Sequence, residues 1–338
     1  MHFFLTGHTG FKGTWLTHLL CQRGHKVSGY SNHAFPAKLF TNSIHKDQLE
    51  LDFRGDIRDG DYFNKCLAKS KADVVIHLAA QSLVPKSYID PLETFSTNVD
   101  GTRNVLLATR ANHFVKALLV ITSDKVYRNR NSEEPHREVD PLGGHDPYSA
   151  SKAMADIMTQ SFMKLNDFPP IGIARAGNVV GGGDHGERRL IPDIIQAIEE
   201  GTPLELRRPS AIRPWQHVLD CLNGYLVLVE RLLKESESGI WNVGPELTDL
   251  YTVETVVETF LKEIQIPLQV KLKPGDVFES EILKINSDKL RRETKWSNKL
   301  SFFQTIQWTA QWYRSNIKDK NASSRELMED QIANFEQI

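Results

Sequence analysis

The chain has only three cysteines in 338 residues, and that scarcity already narrows its class. Cys21, Cys66 and Cys221 are odd in number and far apart. They form neither a disulfide framework nor the paired spacing of a zinc site, so reduced thiols, a cytoplasmic location and no metal are expected. Charge of one sign is lacking as well. Lys and Arg number 41 against 43 Asp and Glu, a net charge of −2, which argues against nucleic acid as a partner. No apolar run approaches the ~20 residues of a membrane span. The chain does not open on a charged stretch followed by an apolar one and a cleavage site; Phe3-Phe4-Leu5 already reads as a strand. Neither a membrane anchor nor a secretory leader is therefore expected. Internal repeats and low-complexity tracts are also absent.

What is present begins at once. Phe3-Phe4-Leu5-Thr6 runs into glycines at 7, 10 and 13, followed by apolar residues at Trp15, Leu16, Leu19 and Leu20. That is a strand, a turn and a helix. Gly7 suits the tight turn, Gly10 lets backbone approach a pyrophosphate, and Gly13 lets helix pack on strand. The helix N-terminus then faces the anion, so a dinucleotide site is expected. One further absence follows. Strand two, residues 26–31, ends in Tyr30-Ser31-Asn32, with no acidic residue for a ribose hydroxyl and no arginine for a 2′-phosphate. The motif by itself barely separates NAD from NADP.

Strand three is expected at 49–53, leading to Asp56-Ile57, where Asp56 is either placed for an adenine amino group or a plain turn aspartate. Strand four, 73–77, runs into the small residues Leu78-Ala79-Ala80-Gln81. His77 has no second ligand near it in sequence and is expected to pack inside. A helix is expected over 91–112. Residues 117–121, with Leu118-Leu119-Val120-Ile121, read as a buried parallel strand. Ser123, Asp124 and Lys125 follow at its carboxyl end, where open α/β sheets place their chemistry. Pro147 opens a helix at a position where a missing N–H costs nothing. Tyr148 and Lys152 are four apart and share one face of that helix. Each piece alone has a bland reading, a solvated helix edge or a strand-end cap; together and in this order they point to a reactive site.

Downstream, strand six is read at 171–175, then the glycine-rich loop 181–184 marks where the chain leaves the sheet. Arg188, Arg207 and Arg213 suit a diphosphate through forked guanidinium contacts, or else form a solvated basic face. A helix over 219–233 and a strand over 240–243 return to the sheet. A core-facing helix is expected at 306–313, and 316–338 as a surface or interface helix. The fold class is α/β: a Rossmann doubly wound parallel sheet over 1–180 with 215–245 returning to it. A smaller α+β lobe from 181–214 and 246–338 is expected to hold the substrate.

These motifs resemble the extended short-chain dehydrogenase/reductases, in particular the nucleotide-sugar 4,6-dehydratases. The resemblance rests on Thr6-Gly7-His8-Thr9-Gly10-Phe11-Lys12-Gly13, His77-Leu78-Ala79-Ala80-Gln81, Ser123-Asp124-Lys125 and Asp140-Pro141-Leu142-Gly143-Gly144-His145-Asp146-Pro147-Tyr148-Ser149-Ala150-Ser151-Lys152. It continues through Arg175-Ala176-Gly177-Asn178, Arg213-Pro214-Trp215-Gln216-His217-Val218 and Trp241-Asn242-Val243-Gly244-Pro245, and covers residues 1 to about 313. Most of these dehydratases carry Asp-Glu where this chain has Asp124-Lys125; the branch acting on CDP-linked glucose carries Asp-Lys. Two departures are Ser123 in place of the usual threonine, and Gly186-Glu187-Arg188 in place of an Ala-Glu-Asp-like run.

The resemblance implies NAD, held by Gly7, Thr9, Gly10, Phe11, Lys12, Gly13, Ser31, Asp56, Ile57, Leu78, Ala79, Ala80, Tyr148 and Lys152. It implies a nucleotide-sugar substrate touching Gln81, Ser82, Asn178, Arg188, Leu190, Ile191, Arg207, Arg213 and His217. It also implies a homodimer or tetramer built through the Tyr148-bearing helix and the 91–112 helix. The catalytic set would be Ser123, Asp124, Lys125, Tyr148 and Lys152. A hexose C5–H becomes acidic once C4 is a ketone, and the elimination then needs a base at C5 and an acid at the C6 hydroxyl. Tyr148 would take the C4 hydroxyl proton, Lys152 would stabilise the phenolate, and Ser123 would bond the C4 oxygen. Asp124 would be the acid and Lys125 the base or an electrostatic helper. A 4-epimerase, a dehydratase acting on another nucleotide's sugar, and a dinucleotide-binding scaffold without activity are the rival readings. The epimerase has no use for Asp124-Lys125, and the scaffold none for Ser123, Tyr148 and Lys152 together.

Overall fold

The computed structural model describes residues 1–32, 38–44, 48–128, 132–273, 281–318 and 323–338. The chain begins with β1 (His2–Thr6), α1 (Phe11–Gln22), β2 (Lys26–Ser31), α2 (Lys38–Ser43), β3 (Leu51–Arg54) and α3 (Gly60–Ser70). It continues with β4 (Val74–His77), α4 (Val84–Ile89), α5 (Pro91–Phe95), a π turn (Ser96–Asp100), α6 (Gly101–Ala111) and β5 (Ala117–Ile121). After a 3-10 turn (Asp124–Val126) come α7 (Pro147–Phe162), β6 (Ile171–Ala176), the short strand β7 (Val179–Val180), α8 (Leu190–Glu200) and β8 (Leu204–Leu206). β9 (Ile212–Arg213), β10 (Gln216–His217), α9 (Val218–Glu235), β11 (Gly239–Val243) and β12 (Tyr251–Thr252) follow. The last elements are α10 (Val253–Ile264), β13 (Val270–Leu272), α11 (Asp288–Thr294), α12 (Phe302–Lys318) and α13 (Ser324–Gln337).

Seven strands form one parallel sheet in the order β11-β6-β5-β4-β1-β2-β3. The chain winds outward from β1 to β3, then crosses back to β4 and winds the other way. This is the doubly wound Rossmann arrangement, and its reversal leaves a crevice outside the carboxyl ends of β1 and β4. The central strands must be apolar on both faces because helices cover both. β5 is buried at every residue, and β4 likewise. One apolar layer joins α1, α9 and α12 to the sheet; the other joins α3, α6 and the far side of β5. Beyond β6 the chain leaves the sheet, and three two-stranded pairings, β7 with β10, β9 with β12 and β8 with β13, tie the outer segments together.

Three expectations change. Strand three runs over Leu51–Arg54, starting two residues later and ending one later than expected, because Ser28 pairs with Leu51. The 91–112 helix is one continuous run but opens into a π turn at Ser96–Asp100. There the Asn98 side chain reaches out to Gln81 and Ser151, and such turns gather at functional sites. The 316–338 stretch is divided between the end of α12 and α13 (319–322 lie outside the described residues), and α13 is part of the core. Met328, Ile332 and Phe335, spaced four and three apart, are fully buried against α1 and α12.

Candidate active site

The crevice begins at the first turn. Gly7 has φ +72°, its N–H donates to Tyr30 O at 2.7 Å, and an added Cβ would lie 2.9 Å from Ala79 N. A Cβ on Gly13 would fall 2.2 Å from Gly7 O, which is what fixes glycine at the helix contact. Helix α1 then starts at Phe11 with no acidic residue in its first turn and no side-chain cap. Its leading N–H groups and positive pole are left for an anion, so these residues fit a dinucleotide diphosphate.

A cleft of about 1500 Å³ opens here. Pockets for one small ligand are about 300–1,000 Å³, so this one has room for a dinucleotide and a second molecule together. Every expected cofactor residue lines it: Gly7, Thr9, Gly10, Phe11, Lys12, Gly13, Ser31, Asp56, Ile57, Leu78, Ala79, Ala80, Tyr148 and Lys152. Asp56 is engaged by Arg58, whose side chain bonds both carboxylate oxygens and holds the acid below its usual range. On the other wall stand Ser82, Asn178, Arg188, Leu190, Ile191, Arg207 and Arg213.

Two expected substrate contacts differ. His217 is fully buried outside the cleft. Its Nδ1 accepts from Leu219 N at 3.3 Å, and its ring meets Trp15 and Trp308 edge-on. Burial pushes its pKa down to about 3, so it is a neutral packing and capping group. Gln81 touches the cleft, but its amide is spent on its own loop: Nε2 donates to Leu83 O and Thr94 Oγ1, and Oε1 accepts from Leu83 N. His77 packs inside, as expected, between Thr6 Oγ1 at 2.7 Å and Thr102 Oγ1 at 3.0 Å.

The reactive groups meet at the end of β5. Ser123 caps the 3-10 turn by accepting from Lys125 N at 3.2 Å, and its hydroxyl donates to Asp124 Oδ1 at 3.0 Å. Asp124 is buried, and its Oδ2 has no hydrogen-bond partner among the described residues. Burial pushes its carboxyl above the ordinary range despite the nearby Lys125 charge, which favours the protonated acid. Asp146 caps α7 by accepting from Ser149 N at 2.9 Å, with Pro147 at the first position, and so fixes where Tyr148 emerges. Burial raises the Tyr148 phenol to about 12, while the neighbouring Ser123 hydroxyl and the Arg189 charge pull the other way. Lys152 donates to Ile121 O at 3.0 Å, and burial together with the Lys12 charge lowers it to about 8. Lys125 lines the same cleft, half-buried.

Behind these groups lies a buried ion pair that sequence reading missed. Asp156, one turn beyond Lys152, accepts from Arg175 at 2.8 and 2.7 Å and from Thr122 Oγ1 at 3.0 Å. It ties α7 to β6 and to the residue before Ser123. Arg175 also donates to Tyr127 Oη at 3.0 Å, and Tyr127 donates to Asn242 on β11 at 2.6 Å. Arg189 was also missed. It pairs with Asp184 at 2.9 Å and reaches Ser82 Oγ at 3.0 Å, joining the loop after β4 to the segment before α8.

The chain belongs to the NAD dependent epimerase/dehydratase family, whose pattern it matches over residues 3–244. It is 37% identical over 342 residues to CDP-glucose 4,6-dehydratase of Salmonella typhimurium, covering 96% of this chain and 94% of that one. It is 26% identical to UDP-glucose 4-epimerase of Halalkalibacterium halodurans, covering 94% and 96%. Its fold is similar to dTDP-glucose 4,6-dehydratase of Bacillus anthracis crystallised with NAD, with a TM-score of 0.81, 24% identity, and 94% and 98% of the two chains covered.

Proposed function

We propose that the chain is a hydro-lyase that converts CDP-D-glucose to CDP-4-dehydro-6-deoxy-D-glucose in an NAD-dependent 4,6-dehydration. The observation that carries this reading is Asp124: a buried carboxyl with one oxygen unpartnered among the described residues, whose burial favours the protonated form, beside a lysine and within the same cleft as Ser123, Tyr148 and Lys152. An acid and an adjacent amine suit elimination of water across C5–C6 and have no task in 4-epimerisation. The 37% identical relative supports the CDP-linked glucose.

Bound dinucleotide supplies reversible hydride acceptance from C4 and donation to C6. Tyr148 receives the C4 hydroxyl proton. Its buried phenol must be brought down from about 12; the Arg189 guanidinium favours the phenolate, and the Lys152 ammonium stands on the same helix face to do so. Ser123 donates to the C4 oxygen and holds it at the strand end. Lys125 takes the C5 proton, now α to a carbonyl, and Asp124 gives its proton to the departing C6 hydroxyl. The arginine-lined wall, Arg188, Arg207 and Arg213, holds the diphosphate of the sugar nucleotide.

The same reading divides the chain into a dinucleotide-binding part, 1–180 with 215–245, and a sugar-nucleotide part, 181–214 and 246–338. A homodimer is supported by apolar side chains left exposed on α4 to α7, including Ile89, Leu92, Met154 and Ile157. Among the described residues no helix is long and apolar enough to cross a membrane. Free Cys21, Cys66 and Cys221 favour the reducing cytoplasm, where the product would feed deoxysugar synthesis for lipopolysaccharide or other surface polysaccharide. The test is mass spectrometry of CDP-glucose incubated with the protein and NAD. Loss of one water, abolished in Tyr148→Phe, is expected. Loss only from a GDP-, UDP- or dTDP-linked hexose would replace the substrate, and inversion at C4 without loss of water would replace the reaction.

A further inference from the structure

The end of β2 lacks the carboxylate that a dinucleotide site of this kind uses to hold an adenosine ribose, and Ser31 stands there instead. Ser31 is buried, lines the cleft, and is the first member of a hydrogen-bonded chain. Its Oγ lies 3.0 Å from His8 Nδ1 and accepts from Thr9 N at 3.3 Å. His8 Nε2 lies 3.0 Å from Asp52 Oδ1, and Asp52 Oδ2 accepts from Arg54 at 2.8 Å. The imidazole is fully buried and has a fixed seat. A Cβ on Gly29 would fall 2.3 Å from its Cδ2, so only glycine at that point of β2 leaves room for the ring. Phe40 closes the other side edge-on at 5.1 Å.

The direction of each bond follows from which groups can donate. A carboxylate only accepts, so His8 Nε2 carries the hydrogen toward Asp52. With the ring neutral, Nδ1 is an acceptor, so the Ser31 hydroxyl donates to it. One Ser31 lone pair is taken by Thr9 N–H. The other is left for the cleft, and it asks for a hydroxyl donor. A ribose 2′-hydroxyl supplies one. A 2′-phosphate dianion has no hydrogen to give and would meet an acceptor backed by a carboxylate. Arg54, on the neighbouring strand, is paired with Asp52.

We propose that Asp52, acting through His8 and Ser31, replaces the missing carboxylate of β2 and selects NAD over NADP. The selectivity is thus set from the neighbouring strand, β3, through a serine. This rests on the dinucleotide reading of the cleft. Ser31 is the ligand-facing group, and His8 and Asp52 are positioning residues.

The experiment reads bound cofactor, not turnover. Full-length protein is dialysed to equilibrium against equal concentrations of NAD and NADP, and the bound fraction is quantified by mass spectrometry. Wild type should hold NAD in large excess. Asp52→Ala should lower the NAD:NADP ratio at least about tenfold, the size expected from losing one charge-assisted contact. Ser31→Ala should weaken NAD by about tenfold while leaving NADP nearly unchanged. Arg54→Gln, which leaves the relay intact, should keep the preference for NAD, and it tests the idea even if Asp52→Ala does not fold. An unchanged ratio in Asp52→Ala would overturn the proposal, as would loss of preference in Arg54→Gln alone or equal weakening of both dinucleotides in Ser31→Ala. Wild type that binds both equally would overturn the relay but not the cofactor site; wild type that binds neither would overturn both.

Discussion

Asp124 and Lys125 are sequence neighbours with opposite assignments, and their environments separate them. Burial favours the protonated form of Asp124, while Lys125 sits half-buried at the cleft wall. If one is the C6 acid and the other the C5 base, their variants should fail at different points. Asp124→Asn should still exchange the C5 hydrogen with solvent deuterium but lose water about 10²–10⁴ times more slowly. Lys125→Ala should lose the C5 exchange itself by a similar factor. Unchanged C5 exchange in Lys125→Ala would remove the base assignment and leave Lys125 an electrostatic helper. The placement of Ser123, Asp124 and Lys125 was legible in the sequence because three adjacent residues at a strand end need no tertiary information to be brought together. Gln81 and His217 were not. Each lies in a matching motif, but only the folded chain shows the Gln81 amide turned into its own loop and the His217 ring wedged between Trp15 and Trp308.

Elements are held in register by polar groups that sequence spacing does not reveal. The 19-residue separation of Asp156 and Arg175 carries no periodic signal, yet the pair joins α7 to β6 with both side chains buried. Asp156→Ala would leave the Arg175 guanidinium unpaired in the interior, a loss of about 3–5 kcal/mol. A large fall in melting temperature is expected, against a smaller one for Thr122→Val, which removes one hydrogen bond of about 1–2 kcal/mol. Equal effects would mean that the ion pair does not anchor the helix. Asp220 does similar work between α9 and the segment before α12, accepting from Lys299 N at 2.7 Å and Leu300 N at 3.3 Å. Burial lifts it to about 7. The unfolded chain releases this proton near pH 4 and the folded chain near pH 7. The folded form therefore holds the extra proton between those values. Its stabilising contribution is full below about pH 4 and is lost as pH rises toward 7. Asp220→Asn should flatten the melting temperature between pH 4 and 8 relative to wild type; a parallel curve would show that Asp220 does not titrate there. The strands themselves were readable because short apolar runs between turn residues have little else to become. Strand three starts two residues later because its first residue, Leu51, is set by pairing with Ser28, a long-range choice.

At the scale of the whole molecule, α7 has two faces with different work. Its inner face carries Tyr148 and Lys152 to the cleft, while Met154 and Ile157 stand out from its other side, 48% and 55% exposed. Ile89 and Leu92, at 84% and 80%, and Leu107, at 47%, extend the exposed apolar groups on the neighbouring α4, α5 and α6. Burying an Ile or Leu side chain is worth about 1.5–3 kcal/mol. A two-fold axis through this face would count each residue twice, because the same patch meets itself. Replacing Ile157 with Asp would then remove that gain from both subunits and place two like charges at the seam, a change of several orders of magnitude in the dimer dissociation constant. Light scattering during size-exclusion chromatography should give a dimer for the wild type and a monomer for Ile157→Asp at micromolar concentration, with Leu92→Asp behaving alike if it lies within the same seam. The readout separates interface from fold, since Ile157 is exposed in the single chain and its substitution should leave far-ultraviolet circular dichroism unchanged. A dimer that survives both variants would move the contact to another face. A monomer that keeps full turnover would show that α7 needs no partner to hold Tyr148 and Lys152 in place.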